Sequence, residues 1–196
     1  MQGEKRDFAT LIEQDRSERQ KKEWRGTLLD YLELVKADPS LADLAHRRIY
    51  TMIVSKGVRE LDSENDPRAK RLFGDRPVKI YDFFADEFFG MERTLEKIVR
   101  YFHSAAMGGE ESRQVLYLMG PVGSGKSSLV DRLKRGLEEL DPIYAIEGCP
   151  MHEQPLHLIP RHLRPAFEDM LGVRIEGDLC PICRWRLVNE FEGRYE

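Results

Sequence analysis

Polar and charged positions dominate residues 1 to about 23, so that stretch reads as a solvated helix or a frayed arm. From Thr27 the pattern changes. In "TLLDYLELVKADPSLADLAHRRIYTMIVSKG" the apolar spacing predicts two amphipathic helices split at Asp38-Pro39. Ser40 is placed to cap the second, whose Leu41, Leu44, Ala45, Ile49, Met52 and Ile53 share a face, and Gly57 to end it. The breaker-rich "LDSENDPRAKRLFGDRP" then marks a boundary near residues 62 to 77. A further helix follows Gly90, with Leu95, Ile98, Val99 and Phe102 at helical spacing and Gly108-Gly109 as its stop. "QVLYLM" is a continuous apolar run of strand length, the pattern of a strand buried on both faces. Leu129, Leu133, Leu137 and Leu140 mark the buried side of the next helix, which Asp141-Pro142 ends, and "IYAI" reads as a second strand.

Strand, helix and strand in that order open an α/β sheet. The expected organisation is a helical module over residues 1–66, followed over 67–196 by the first part of a P-loop domain. Composition narrows the class. A hydrophobic content of 41% supports a packed core, and 34% charged residues mark a well-solvated surface. A net charge of −4 gives no broad electrostatic case for nucleic acid. No apolar run approaches the roughly 20 residues that span a bilayer, and the charged N-terminus lacks the apolar core of a secretory signal. The default expectation is a cytoplasmic protein without a membrane partner.

The chemistry begins where the apolar run breaks. "GPVGSGKS" satisfies G-x-x-x-x-G-K-[ST] with Gly120, Gly125, Lys126 and Ser127, between a predicted strand and a predicted helix. Glycines let the backbone turn tightly and present N–H groups to an anion, and the helix that follows directs its positive end at the same place. The expected nucleotide-contacting stretch is therefore Gly120, Pro121, Val122, Gly123, Ser124, Gly125, Lys126, Ser127 and Ser128. Lys126 is expected on the β- and γ-phosphates of ATP and Ser127 on Mg²⁺. No later apolar run ends in the acidic pair that positions Mg²⁺ and water in such enzymes, Glu147 lying too early in the topology. Protein-kinase signatures such as H-R-D and D-F-G are missing as well, so phosphotransfer residues are unassigned.

All three cysteines fall late in the chain, as "CPMH" (Cys149, His152) and "CPIC" (Cys180, Cys183). Two pairs of such spacing suit a tetrahedral Cys₃His site, the arrangement of structural zinc, within an inserted hairpin over 148–186. Three alternatives stand beside it: a redox dithiol at Cys180 and Cys183, His157 or His162 as fourth ligand, and ordinary buried thiols.

"FFGMERTLEKIVRYFHSAA", "YLMGPVGSGKSSLVDRLK", "CPMHEQPLHLIP" and "CPICRWRL" together resemble the N-terminal AAA-type region of the PrkA family of bacterial serine protein kinases, from about residue 27 to the end. The resemblance implies an AAA+ module that binds ATP–Mg²⁺ and acts on protein substrates, by serine/threonine phosphorylation or, for some members, as a AAA+ protease. It also implies that Phe88, Phe89, Gly90 and Met91 lie near adenine, or else pack in the core. The family chain runs on for hundreds of residues, so this one reads as a fragment, and homo-oligomerisation of the intact protein stays open. A second class of reading is an interaction module with a vestigial P-loop.

Overall fold

The computed structural model describes residues 8–17, 24–61 and 77–195. The expected boundary between residues 66 and 67 lies outside them. The chain divides into two compact units that are not consecutive in sequence: Met1–Ala42 with Tyr144–Glu196, and Asp43–Ile143. Residues 8–17 are helical and exposed. None of the helices among the described residues is long and apolar enough to cross a membrane.

In the first unit, α1 (Leu28–Ala37) starts at a capping box. The Thr27 hydroxyl accepts from the Asp30 N–H, and the Asp30 carboxylate accepts from the Thr27 N–H, so two otherwise unpaired helix-start donors are satisfied. Leu28, Tyr31, Leu32 and Val35 of α1 are buried against Leu156, Ile159, Leu171 and Ile175 from the end of the chain. Two short helices belong to that late segment, α5 (Arg164–Leu171) and α6 (Pro181–Asn189).

The second unit holds α2 (Ala45–Ser55), β1 (Val58–Leu61), β2 (Val78–Tyr81), α3 (Glu92–Ala106) and α4 (Lys126–Glu138). β1 and β2 pair antiparallel, with Val58 opposite Tyr81 and Leu61 opposite Val78. The core lies under this ribbon. Met52 and Ile53 of α2, Phe83, Phe84 and Phe88 of the segment after β2, Leu95, Ile98 and Val99 of α3, and Leu129 of α4 form one buried cluster. Both predicted helices flanking the glycine loop are therefore present with the expected inward faces. α2 starts later than its apolar pattern suggests. Ser40 does not cap it, because the Ser40 N–H and hydroxyl both bond to Asp38 Oδ1 in a turn preceding a separate single helical turn over Pro39–Ala42.

Both predicted strands are corrected. "QVLYLM" and "IYAI" are not part of any sheet among the described residues. Val115, Tyr117 and Met119 are 90%, 79% and 82% exposed. A strand buried on both faces needs ladder partners along both edges, and no described segment supplies one here. The ribbon that does form was not foreseen, since Val58–Leu61 is short and three of its four residues are exposed.

α4 approaches the core through Gly136, where an added Cβ would lie 2.6 Å from Met52 Sδ and 2.7 Å from the Phe83 ring. Gly136→Ala gains up to about 1 kcal/mol of helix propensity but overpacks a site for which ~1–3 kcal/mol is typical. The expected outcome is a net loss of stability, read as a lower denaturant midpoint at unchanged m-value.

Candidate functional site

The glycine loop hands the chain into α4 at Gly125, whose φ of 79° lies in the left-handed region that favours glycine. Gly123 is left-handed as well, at φ 81°. Lys126, the first residue of α4, turns back over the loop. Its Nζ donates to the carbonyls of Gly120 and Pro121 at 2.8 and 2.6 Å and to Ser124 Oγ at 3.0 Å. The ammonium therefore stands at the loop mouth, beside the N-terminus of a helix more than three turns long. Ser127 and Ser128 are exposed there, and Val122 and Pro121 form the open outer side of the turn.

A cleft of about 480 Å³ opens beside the loop, lined by Glu87, Phe88, Phe89, Met91, Gly123, Ser124, Gly125 and Ser128. Two arginines that sequence reasoning missed fix its walls. Arg132 Nε donates to the Phe83 carbonyl at 3.0 Å with its guanidinium 4.2 Å above the Phe83 ring, and Arg135 holds both oxygens of Glu87. They lie in the second and third turns of α4, so the helix that carries Lys126 is pinned to the segment that carries Phe88 and Phe89. Arg132 is half-buried and Arg135 is exposed beside the Gly136 face, and nothing in the sequence pattern names Phe83 or Glu87 as their partners.

The second cluster lies in the other unit. The sulfurs of Cys149, Cys180 and Cys183 all fall within 4.8 Å of one another, with Cys149 and Cys180 3.7 Å apart. His152 is not in that group; it is exposed, with φ at 48°. Each pair folds back on its first cysteine: the Glu153 N–H points to Cys149 Sγ at 3.4 Å, and the Cys183 N–H to Cys180 Sγ at 3.3 Å at the start of α6. Burial opposes ionisation of Cys149, yet the Glu153 N–H, the Cys183 thiol and the Met151 N–H outweigh it and hold this thiol below its ordinary value. Burial, then the sulfurs of Cys149 and Cys180, push Cys183 up to about 12.

Glu153 organises the surroundings. Its carboxylate accepts from the Cys180 N–H at 2.8 Å and meets His157 Nδ1 at 2.5 Å, while His157 Nε2 meets the Glu176 carbonyl at 2.6 Å. Both ring nitrogens of His157 are thus engaged away from the sulfurs, and it is not placed among them as a ligand. His162 is exposed and outside the group. Gly177, at φ 101°, passes within 3 Å of the His157 ring by the position its Cβ would take, so no side chain fits there.

The family model described as the PrkA AAA domain matches residues 26–196, and the chain belongs to that family. It is 45% identical over 196 residues to a protein named ATP-dependent protease PrkA from Bacillus subtilis (strain 168), covering 97% of this chain and 29% of that one. It is 41% identical over 174 residues to a protein named serine/threonine kinase YeaG from Escherichia coli (strain K12), covering 85% of this chain and 26% of the other. The chain thus spans less than a third of either relative. No solved structure matches it at a significant level.

Glu153→Ala leaves the Cys180 N–H and His157 Nδ1 without their acceptor. A loss of about 2–3 kcal/mol is expected, with amide exchange accelerating first at Cys180. Unchanged exchange there would show that the carboxylate does not hold the turn.

Proposed function

We propose that this chain is the nucleotide-holding front part of an ATP-dependent enzyme that acts on proteins, and that the intact protein transfers phosphate from ATP–Mg²⁺ to serine or threonine side chains. The observation that carries the reading is the loop itself: left-handed Gly125, Lys126 Nζ at the mouth, and the start of α4 converge on one point. Backbone N–H groups from Val122 to Ser128 would surround the phosphates, with Lys126 neutralising their charge and Ser127 as the Mg²⁺ ligand. A Mg²⁺ ion held there would supply neutralisation of the phosphates' charge. Phe88, Phe89 and Met91 offer apolar surface beside the loop for the base. The name of the Escherichia coli relative favours phosphorylation. The name of the Bacillus subtilis relative favours a second reading, in which the same ATP site drives proteolysis or remodelling of protein targets.

The cysteine cluster is read as a structural zinc site. A tetrahedral ion with Zn–S bonds of ~2.3 Å sets sulfurs ~3.8 Å apart, and the 3.7 Å between Cys149 and Cys180 fits that edge. Cys149, Cys180 and Cys183 would be three ligands, and His152, at the end of the Cys149 turn, the fourth. Bound zinc would hold together a segment whose own core is small. A cytoplasmic setting, where thiols stay reduced, suits three free cysteines.

Calorimetry with ATP and Mg²⁺ tests the first reading: Lys126→Ala is expected to weaken binding at least about tenfold, as loss of a charge-assisted contact implies. Equal affinity of the two proteins would refute it. These 196 residues are expected to turn over ATP negligibly, and vigorous hydrolysis dependent on Lys126 would contradict that. For the metal, about one zinc per chain is expected by elemental analysis, falling to a small fraction in Cys183→Ser.

A further inference from the structure

A lysine ammonium carries three N–H donors and no acceptor, and all three donors of Lys126 meet a partner inside the glycine loop. Two bonds go to the backbone carbonyls of Gly120 and Pro121, at 2.8 and 2.6 Å, and the third to Ser124 Oγ at 3.0 Å. The cleft beside the loop is lined by Gly123, Ser124, Gly125 and Ser128, and Lys126 is not among its lining residues. Ser124 is therefore the one residue shared by the cleft wall and the set of acceptors around the ammonium. The three acceptors also differ in what their release requires. The two carbonyls are fixed in the backbone of the turn, whereas the hydroxyl sits on a single side-chain torsion and can leave without moving the loop. Gly120 leaves room for it: a Cβ there would lie 2.9 Å from Ser124 Oγ and 3.9 Å from Lys126 Nζ.

We propose that Ser124 is a latch on Lys126: its hydroxyl holds the ammonium back in the loop, and a polyphosphate entering the cleft takes the lysine by breaking that one bond. The inference rests on the P-loop reading of the preceding subsection. It adds a positioning residue, one whose side chain sets affinity through Lys126. The exchange runs toward phosphate because a charged oxygen is a stronger acceptor than a hydroxyl. What is measured as affinity is the difference between the bond gained and the bond given up. An uncharged nucleoside offers the ammonium nothing better than the partner it already has. The latch therefore favours a polyanion over a neutral ligand of the same cleft, and it lowers the affinity for the polyanion by about the worth of one hydrogen bond.

The test is a calorimetric titration of ATP and of inorganic tripolyphosphate, each with Mg²⁺, into the wild-type chain, Ser124→Ala, Ser124→Thr, Lys126→Ala and the Ser124→Ala/Lys126→Ala double variant. Ser124→Ala is expected to bind both ligands about two- to tenfold more tightly, the span of one net hydrogen bond. Ser124→Thr keeps the hydroxyl and is expected to return to wild-type affinity. In the Lys126→Ala background the gain is expected to vanish, because the serine acts through the lysine; a general loosening of the loop would persist there. Should Ser124→Ala fail to fold by circular dichroism, Ser124→Cys takes its place, with similar size, a weak sulfur acceptor and the same expected direction. Unchanged or weaker binding by Ser124→Ala, beside wild-type binding that depends on Lys126, would overturn the latch and leave the P-loop reading standing. Binding that emerges only in Ser124→Ala would be the latch at full strength. Absence of Lys126-dependent binding in both proteins would overturn both readings.

Discussion

The glycine loop and the cleft beside it depend on how closely α4 lies against the segment after β2. Lys126 has a defined position only because α4 does, and α4 is fixed by a close approach rather than by its leucines alone. Gly136 lets the helix backbone come within contact of Met52 and Phe83. Arg132 then reaches the Phe83 carbonyl and ring, and Arg135 takes Glu87. A larger residue at Gly136 forces the helix outward, and the arginine contacts and the cleft walls move with it. Precise placement matters because a phosphate cradle works through the direction of N–H groups and one ammonium, whose contributions fall steeply with misalignment.

The late segment uses a different device. It buries few apolar side chains of its own, with Leu156, Ile159, Leu171 and Ile175 contributing to the α1 cluster. Around the cysteines, order comes from polar clasps instead: Glu153 between Cys180 and His157, Arg164 on the Ile159 and Gly177 carbonyls, and Arg186 on the Glu147 carbonyl. These bonds bring the sulfurs together before any ion is considered. The three sulfurs are not equivalent: burial opposes ionisation of Cys149, but the Glu153 N–H, the Cys183 thiol and the Met151 N–H hold it below its ordinary value, whereas burial and the other two sulfurs push Cys183 up.

Much of the candidate site was legible from the chain. The loop match, the helix after it and the inward leucines of α4 follow from spacing, because a glycine-rich turn and a 3.6-residue period are local properties. The two cysteine pairs were legible for the same reason. The strands were not. "QVLYLM" carries the pattern of a buried strand, yet it stands exposed, because a ladder is made by whichever segment lies beside it and no local pattern supplies that neighbour.

Legible along the chain is its chemical equipment: a glycine loop of phosphate-binding pattern, a lysine and serine at its end, three cysteines in short motifs, and helices with definite apolar faces. Local geometry and periodicity suffice for each of these. Tertiary structure alone decided which groups share a site. It brought residue 180 beside residue 149, turned His157 away to Glu153 and Glu176, and set the aromatic segment 83–89 against α4. The reason is physical. Burial, close approach and hydrogen-bond satisfaction are properties of pairs of distant segments, and they exist only once those segments have met.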